Sequence, residues 1–280
     1  MFLSCFCLAP RASTFDAQVR RRCGVVTCGL KDRERQKIDK SPDSFFYNTP
    51  RLVKHADDDW HKRLTSLYHQ ELPNGGRVLD LMSSWVSHLP KDMKFDRVAA
   101  TGMNREELSQ NKQLTEFVVH DLNADPRIPF EDASFDAVVC ALSVQYLQKP
   151  EIIFSEIARV LRPRGVVIIS FSNRMFFTKA VNAWKDRSGR GRVKLVKGYM
   201  AEVGAFTPVK DVTEESPLTT IAPLLGSLGF SYGGDPFYAV IANKYFAPTE
   251  EELEDIRDGK LKWVFATGKS VDSLRNSLDP

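Results

Sequence analysis

The sequence lacks several signatures that would settle its class at once. No apolar run approaches the ~20 residues that a membrane span needs, so no spanning helix is expected. Net charge is only +3, too little by itself to argue for nucleic acid. There is no Cys-x-x-Cys, and no His pair sits at ligand spacing, which leaves no zinc pattern. Four of the five cysteines (Cys5, Cys7, Cys23, Cys28) fall in the first 28 residues, leaving Cys140 alone in the body of the chain, which argues against a disulfide framework. No Gly-x-Gly-x-x-Gly occurs, which argues against a nicotinamide dehydrogenase. No internal repeat is visible.

What is present is enough for one sizeable core: 280 residues, 42% of them hydrophobic. Acids are scarce at the start, where Arg11, Arg20, Arg21 and Arg22 face only Asp16 among Ser4, Ser13 and Thr14. Basic, hydroxylated and acid-poor is the composition of an organelle transit peptide, here expected over 1–30 and directed to the chloroplast, with a mitochondrial or cytoplasmic location as the alternative. Lys31 to Lys40 alternate charge and are expected to be a solvated lead-in. The aromatic stretch Ser44–Pro50 must bury or bind something. Asp57, Asp58 and Asp59 precede Trp60, Leu64, Leu67, Tyr68 and Leu72 at helical spacing, with acids at the positive end of the dipole. These acids with His55, His61 and His69 form no convincing metal set. The helix is expected to lie over the mouth of a ligand site, ending at Pro73-Asn74-Gly75-Gly76.

The organising stretch is 116–171. Phe117–Leu122 and Ser134–Leu142 read as strands, a helix opens near Pro150 and closes by Gly165, and Val166–Phe171 is a further buried strand. Strand, helix and strand at this spacing form a βαβ unit, whose crossover requires both sheet faces covered. The turn-and-strand text Ile128-Pro129-Phe130-Glu131-Asp132-Ala133-Ser134-Phe135-Asp136-Ala137-Val138, followed by Val160-Leu161-Arg162-Pro163-Arg164-Gly165, resembles the class I S-adenosylmethionine-dependent methyltransferases, in particular the small-molecule (type 11-like) family. That family writes Leu-Pro-Phe-x-Asp-x-Ser-Phe-Asp-x-Val and Val-Leu-Lys-Pro-Gly-Gly.

The resemblance covers about 77–245. It implies a Rossmann-like, seven-stranded, mostly parallel sheet with an antiparallel seventh strand (Phe237–Lys244) and helices on both faces. It further implies S-adenosylmethionine as cofactor and a small-molecule acceptor. Residues 31–76 would be lead-in and cap helix; 246–280 would be a helix opened by Thr249-Glu250-Glu251-Glu252 and a polar tail. A short helix is also expected over Ile221–Leu228, while Val209–Val212 is too short to assign.

Carried over position by position, the resemblance implies a set of cofactor-binding residues. Asp80, Met82, Ser83 and Ser84 follow the first strand; the family's glycines are missing there, and Ser83 or Ser84 is expected to cap a short helix from Trp85 to Leu89. Gly102, Met103 and Asn104 follow the second, where the family's ribose-binding acid is replaced by Gly102. Asp121 and Leu122 follow the third and would meet the adenine, while His120, on the opposite face by alternation, is read as structural. Ala141, Leu142 and Tyr146 follow the fourth. Ser172, Asn173 and Arg174 would face the substrate. The basic run from Lys179 to Lys197, with Gly189 and Gly191, is expected to be a solvated, flexible loop.

No catalytic base is legible, which suits a reaction that rests on aligning a nucleophile with a methyl group. The alternative is a non-catalytic binding or regulatory protein whose cofactor site has decayed, fed by the glycine-free loop and by Gly102. A nucleic-acid methyltransferase is disfavoured, since no Asn-Pro-Pro-Tyr-like motif follows the fourth strand.

Overall fold

The computed structural model describes residues 29–215 and 234–245. In chain order these form α1 (Asp32–Arg35), α2 (Asp43–Phe46), α3 (Asp58–Glu71), β1 (Arg77–Asp80), β2 (Arg97–Gly102), α4 (Arg105–Gln110), β3 (Glu116–Val119), β4 (Phe135–Ala141), α5 (Pro150–Val160), β5 (Leu161–Phe171), α6 (Asn182–Lys185), α7 (Gly189–Val203), β6 (Lys210–Glu214) and β7 (Phe237–Asn243). The seven strands make one sheet in the order β3-β2-β1-β4-β5-β7-β6. Leu79 of β1 stands beside Ala99 of β2 on one side and Val138 of β4 on the other, all parallel. β7 pairs antiparallel with both β5 and β6, so it alone runs against the rest. The fold is the expected Rossmann-like one.

Side chains alternate across each strand, and the sheet accordingly builds two cores. Leu79, Val138, Cys140, Val167 and Ile169 face α5 and α7, meeting Ile153, Phe154, Ile157, Val193, Val196 and Met200. Val78, Val98, Val139, Ile168 and Phe237 face α3, meeting Trp60, Leu64, Leu67 and Tyr68. Trp60 and Leu64 are wholly buried; a residue of this kind stabilises by about 1.5–3 kcal/mol relative to leaving it exposed. Asp57 caps α3 by accepting from the Trp60 amide at 2.8 Å. The turn after it uses Gly75 at φ 74°, a conformation that glycine adopts without strain.

Several expectations are corrected. α3 covers a sheet face, where its apolar stripe is taken up by the second core, and reaches the cleft only through His61. Val209–Val212 runs into β6, which takes in all of it but Val209. The run 179–197 is no solvated loop: Gly189 and Gly191 lie in the first turn of α7, capped by Ser188 accepting from the Gly191 amide at 3.2 Å, and Lys179 is fully buried. The charged lead-in is also docked, with Lys37 buried in an ion pair with Asp43. β5 starts five residues earlier than Val166, through an irregular pairing beside Phe135 and Ala137. Residues 1–28 of the expected transit peptide, the Ile221–Leu228 helix and the C-terminal helix lie outside the described residues.

Candidate active site

From β1 the chain proceeds to one edge of the sheet through β2 and β3, then returns to β4 on the other side of β1. The crevice at the carboxyl ends of β1 and β4 is thus a topological switch point, the place where open α/β sheets bind ligands. A cavity of about 220 Å³ lies there. All twelve residues expected to meet the cofactor line it: Asp80, Met82, Ser83, Ser84, Gly102, Met103, Asn104, Asp121, Leu122, Ala141, Leu142 and Tyr146.

The loop after β1 is stitched to both neighbours. The Ser83 amide donates to Thr101 O at 2.7 Å, and Ser143 Oγ donates to Met82 O at 3.2 Å. Met82 takes φ 57° and Leu142, after β4, takes φ 55°. Ordinary residues thus hold the left-handed conformation that glycine adopts without penalty, at a strain on the order of 1–3 kcal/mol each. The expected helix from Trp85 to Leu89 does not form. Its proposed caps are engaged elsewhere: Ser83 Oγ donates to Asp80 Oδ2 at 2.6 Å and Ser84 Oγ to Glu107 Oε2 at 2.5 Å. Met82 leans on the core, and the Trp85 indole donates to Val53 O at 3.2 Å.

Asp80 is buried to the last few per cent of its surface. Burial pushes its carboxyl up to about 6, against the opposing pull of hydrogen bonds from Ser83 and Ser87. After β3, Asp121 Oδ1 accepts from the amides of Asn123 and Ala124 at 2.9 and 3.3 Å, an Asx turn, while Oδ2 has no partner among the described residues. His120 is not turned away as expected: β3 has ended at Val119, alternation no longer applies, and His120 lines the cavity with Nε2 2.9 Å from Asp125 O.

At the end of β2 a Cβ on Gly102 would lie 2.4 Å from Ser83 O and 3.1 Å from Leu108 Cδ2, so the loop closes down on bare backbone. Asn104 does not offer its amide to a ligand. Its Oδ1 accepts the Glu107 amide at 3.0 Å, and its Nδ2 donates to Tyr47 O and Asn48 O.

The roof of the cavity comes from the amino-terminal segment. Residues 29–57 strap across the carboxyl edge and contribute Asp43, Tyr47, Arg51 and His55 to the cavity. Tyr47, Tyr146 and Phe176 pack edge-on or stacked at centroid distances of 6.0–6.5 Å, and Arg51 lies over the Phe46 ring at 4.4 Å. The only prior signal was the aromatic density of 44–50. Tyr146 Oη accepts the Phe176 amide at 2.9 Å, and Arg174, on the cavity wall, pairs with Asp235 at 2.8 Å. Near His55 the wall also holds His61 and His88, stacked at 4.4 Å with 18° between rings. Burial depresses all three imidazoles, His88 to about 3, so at neutral pH they are uncharged.

Comparison with known proteins gives a consistent set of likenesses. Residues 82–169 match the methyltransferase domain family. A malonyl-[acyl-carrier protein] O-methyltransferase of Hahella chejuensis is 27% identical over 175 residues, covering 59% of this chain. The match spans 62% of that relative's length. Among solved structures, the [4+2]-cyclase SpnF is 19% identical with a TM-score of 0.46, over 66% of this chain and 81% of its own. Phosphoethanolamine N-methyltransferase 2 of Haemonchus contortus, solved with S-adenosyl-L-methionine, is 14% identical with a TM-score of 0.45, over 67% and 53%.

Proposed function

We propose that this chain transfers a methyl group from S-adenosylmethionine to a small-molecule acceptor, a reading supported by the match of residues 82–169 to the methyltransferase domain family. The observation that carries the reading is the convergence of four strand exits (Asp80, Gly102, Asp121 and Ala141) on one cavity at the switch point. The residues suit the cofactor. Asp121 Oδ2, which has no partner among the described residues, is an acceptor at the position implied for the adenine amino group.

When bound, the sulfonium supplies an electrophilic methyl group. Asp121 and the Leu122 amide would fix the base, and the loop 82–84 would lie along the methionine portion. Tyr47, His55, Tyr146 and Phe176 form the wall against which an acceptor would be held in line. Alignment of this kind supplies much of the rate in such a transfer. With an acceptor bound, the strap and its aromatic side chains would shield that end from water, which strengthens each polar contact inside.

Calorimetry on the full chain tests the reading. Micromolar binding of S-adenosylmethionine is expected, weakened about tenfold or more in Asp121→Ala, since a hydrogen bond to a charged group is worth about 1.5–3 kcal/mol. The second reading, a non-catalytic protein of the same fold, is favoured by the cavity's size: 220 Å³ is below the ~300 Å³ at which ligand pockets usually begin. Absence of heat at high ligand concentration would select it.

A further inference from the structure

Glu107 is a buried carboxylate whose position the reaction above does not use. It sits in the first turn of α4, is 8% exposed, and lines the cavity. Its two oxygens receive neutral donors: Oε1 takes the Arg51 amide at 2.7 Å and Oε2 takes Ser84 Oγ at 2.5 Å. No ion pair among the described residues involves it. A carboxylate carries about four lone-pair sites, so two acceptor positions are left over on a desolvated anion that faces a cavity. Such a group is costly unless further donors complete it.

Its neighbours define what those donors would be. Leu108, the next residue, and Ser83, the one before Ser84, are the groups that close down on Gly102. Glu107 therefore stands beside the end of β2, where backbone crowding forbids any side chain on residue 102 itself. Asn104, the other polar group there, is spent on capping Glu107 and on tying down Tyr47 and Asn48. In Rossmann-type sites a carboxylate near this strand end accepts ribose hydroxyls.

We infer that Glu107 is the ribose-reading carboxylate of this chain, delivered from the first turn of α4 in place of the strand exit, and that it accepts the 2′- or 3′-hydroxyl of the nucleoside in the cavity. The inference rests on the nucleoside-binding reading above. It makes the glycine at 102 a relocation of the acid, five residues along the chain, and not its loss.

The test compares S-adenosylhomocysteine with its 2′-deoxy and 3′-deoxy counterparts by calorimetry on the full chain. The wild type should bind at least one deoxy ligand about ten- to a hundredfold more weakly, the loss expected for a hydrogen bond to a charged acceptor. Glu107→Gln, nearly isosteric, should reduce that discrimination to about threefold or less while melting cooperatively. If it does not fold, Glu107→Asp, which keeps the charge and retracts it, should likewise reduce the discrimination. A wild type that binds S-adenosylhomocysteine but ignores both hydroxyls overturns the inference and leaves the function standing. Glu107→Gln that weakens all ligands equally also overturns it, making Glu107 a clip for the strap. A wild type that binds none of the ligands overturns the function and the inference together.

Discussion

Asp80 and His88 line one cavity and answer acid in opposite senses. Asp80 holds its proton more tightly folded than unfolded, because burial lifts it from 3.8 to about 6. Between those values the native state carries the extra proton, so this site's contribution to stability is present at low pH and is lost as pH rises through about 6. A shift of this size corresponds to roughly 3 kcal/mol. His88 is depressed from 6.5 to about 3 by burial and by His61 and Lys54, so the unfolded chain carries the extra proton and stability falls as pH drops below about 6.5. Asp80→Asn should therefore steepen the loss of stability in acid, and His88→Asn, a residue tolerated at the φ of 58° found there, should make it shallower. Urea denaturation of each variant at steps from pH 4 to pH 7 reads both slopes; matching wild-type slopes would refute the assignments. Asp80 was legible in the sequence through its place after a strand. His88 was not, since its role comes from stacking on His61 of a distant helix.

Helix α7 shows where periodicity fails. Its buried residues Val193, Val196, Tyr199 and Met200 follow helical spacing, but three glycines and four basic residues across Gly189–Val203 blur that stripe. The glycines prove unequal. A Cβ on Gly189 would lie 2.0 Å from Tyr238 Oη, inside a ring that stacks on Phe171, whereas a Cβ on Gly198 meets nothing within 4 Å. Gly189→Ala should destabilise by about 1–3 kcal/mol through overpacking, and Gly198→Ala should stabilise by about 0.5–1 kcal/mol through helix propensity. Denaturant midpoints at constant m decide both; equal effects would refute the packing argument. The strands were far more legible than this helix, because a β-branched run bounded by turn residues, as in Phe135–Ala141, needs no distant partner to declare itself. The loop 81–88 misled for the converse reason: its serines resemble helix caps, yet Asp80 and Glu107 claim both hydroxyls.

Across the whole molecule, the crevice was legible and its cover was not. Strand order follows from the βαβ text, and the strand exits then bring the predicted residues together. The strap over 29–57 is held by contacts no local pattern announces. Lys179, wholly buried, donates to Ser41 O at 2.8 Å and Ser41 Oγ at 3.2 Å, and pairs with Asp39 at 3.0 Å and Asp43 at 3.3 Å. Asn123 Nδ2 joins the same knot, donating to Asp43 Oδ2 and to Tyr146 O at 3.0 Å each. Removing one partner of a buried ion pair strands the other in a dry site and costs about 3–5 kcal/mol. The knot joins the strap to loops that follow β3, β4 and β5 and includes no strand residue, so the loss should fall on the strap alone. Lys179→Met, which keeps the aliphatic volume, is expected to raise amide exchange over residues 37–48 at least tenfold while β1, β4 and β5 keep wild-type protection. Ligand affinity should fall with it, because Tyr47 and the Arg51 amide reach the cavity only when the strap is down. Exchange that rises uniformly through the sheet would show that Lys179 serves the global fold. Unchanged exchange at 37–48 would show that the aromatic contacts of Phe46 and Tyr47 with Phe176 hold the strap without it.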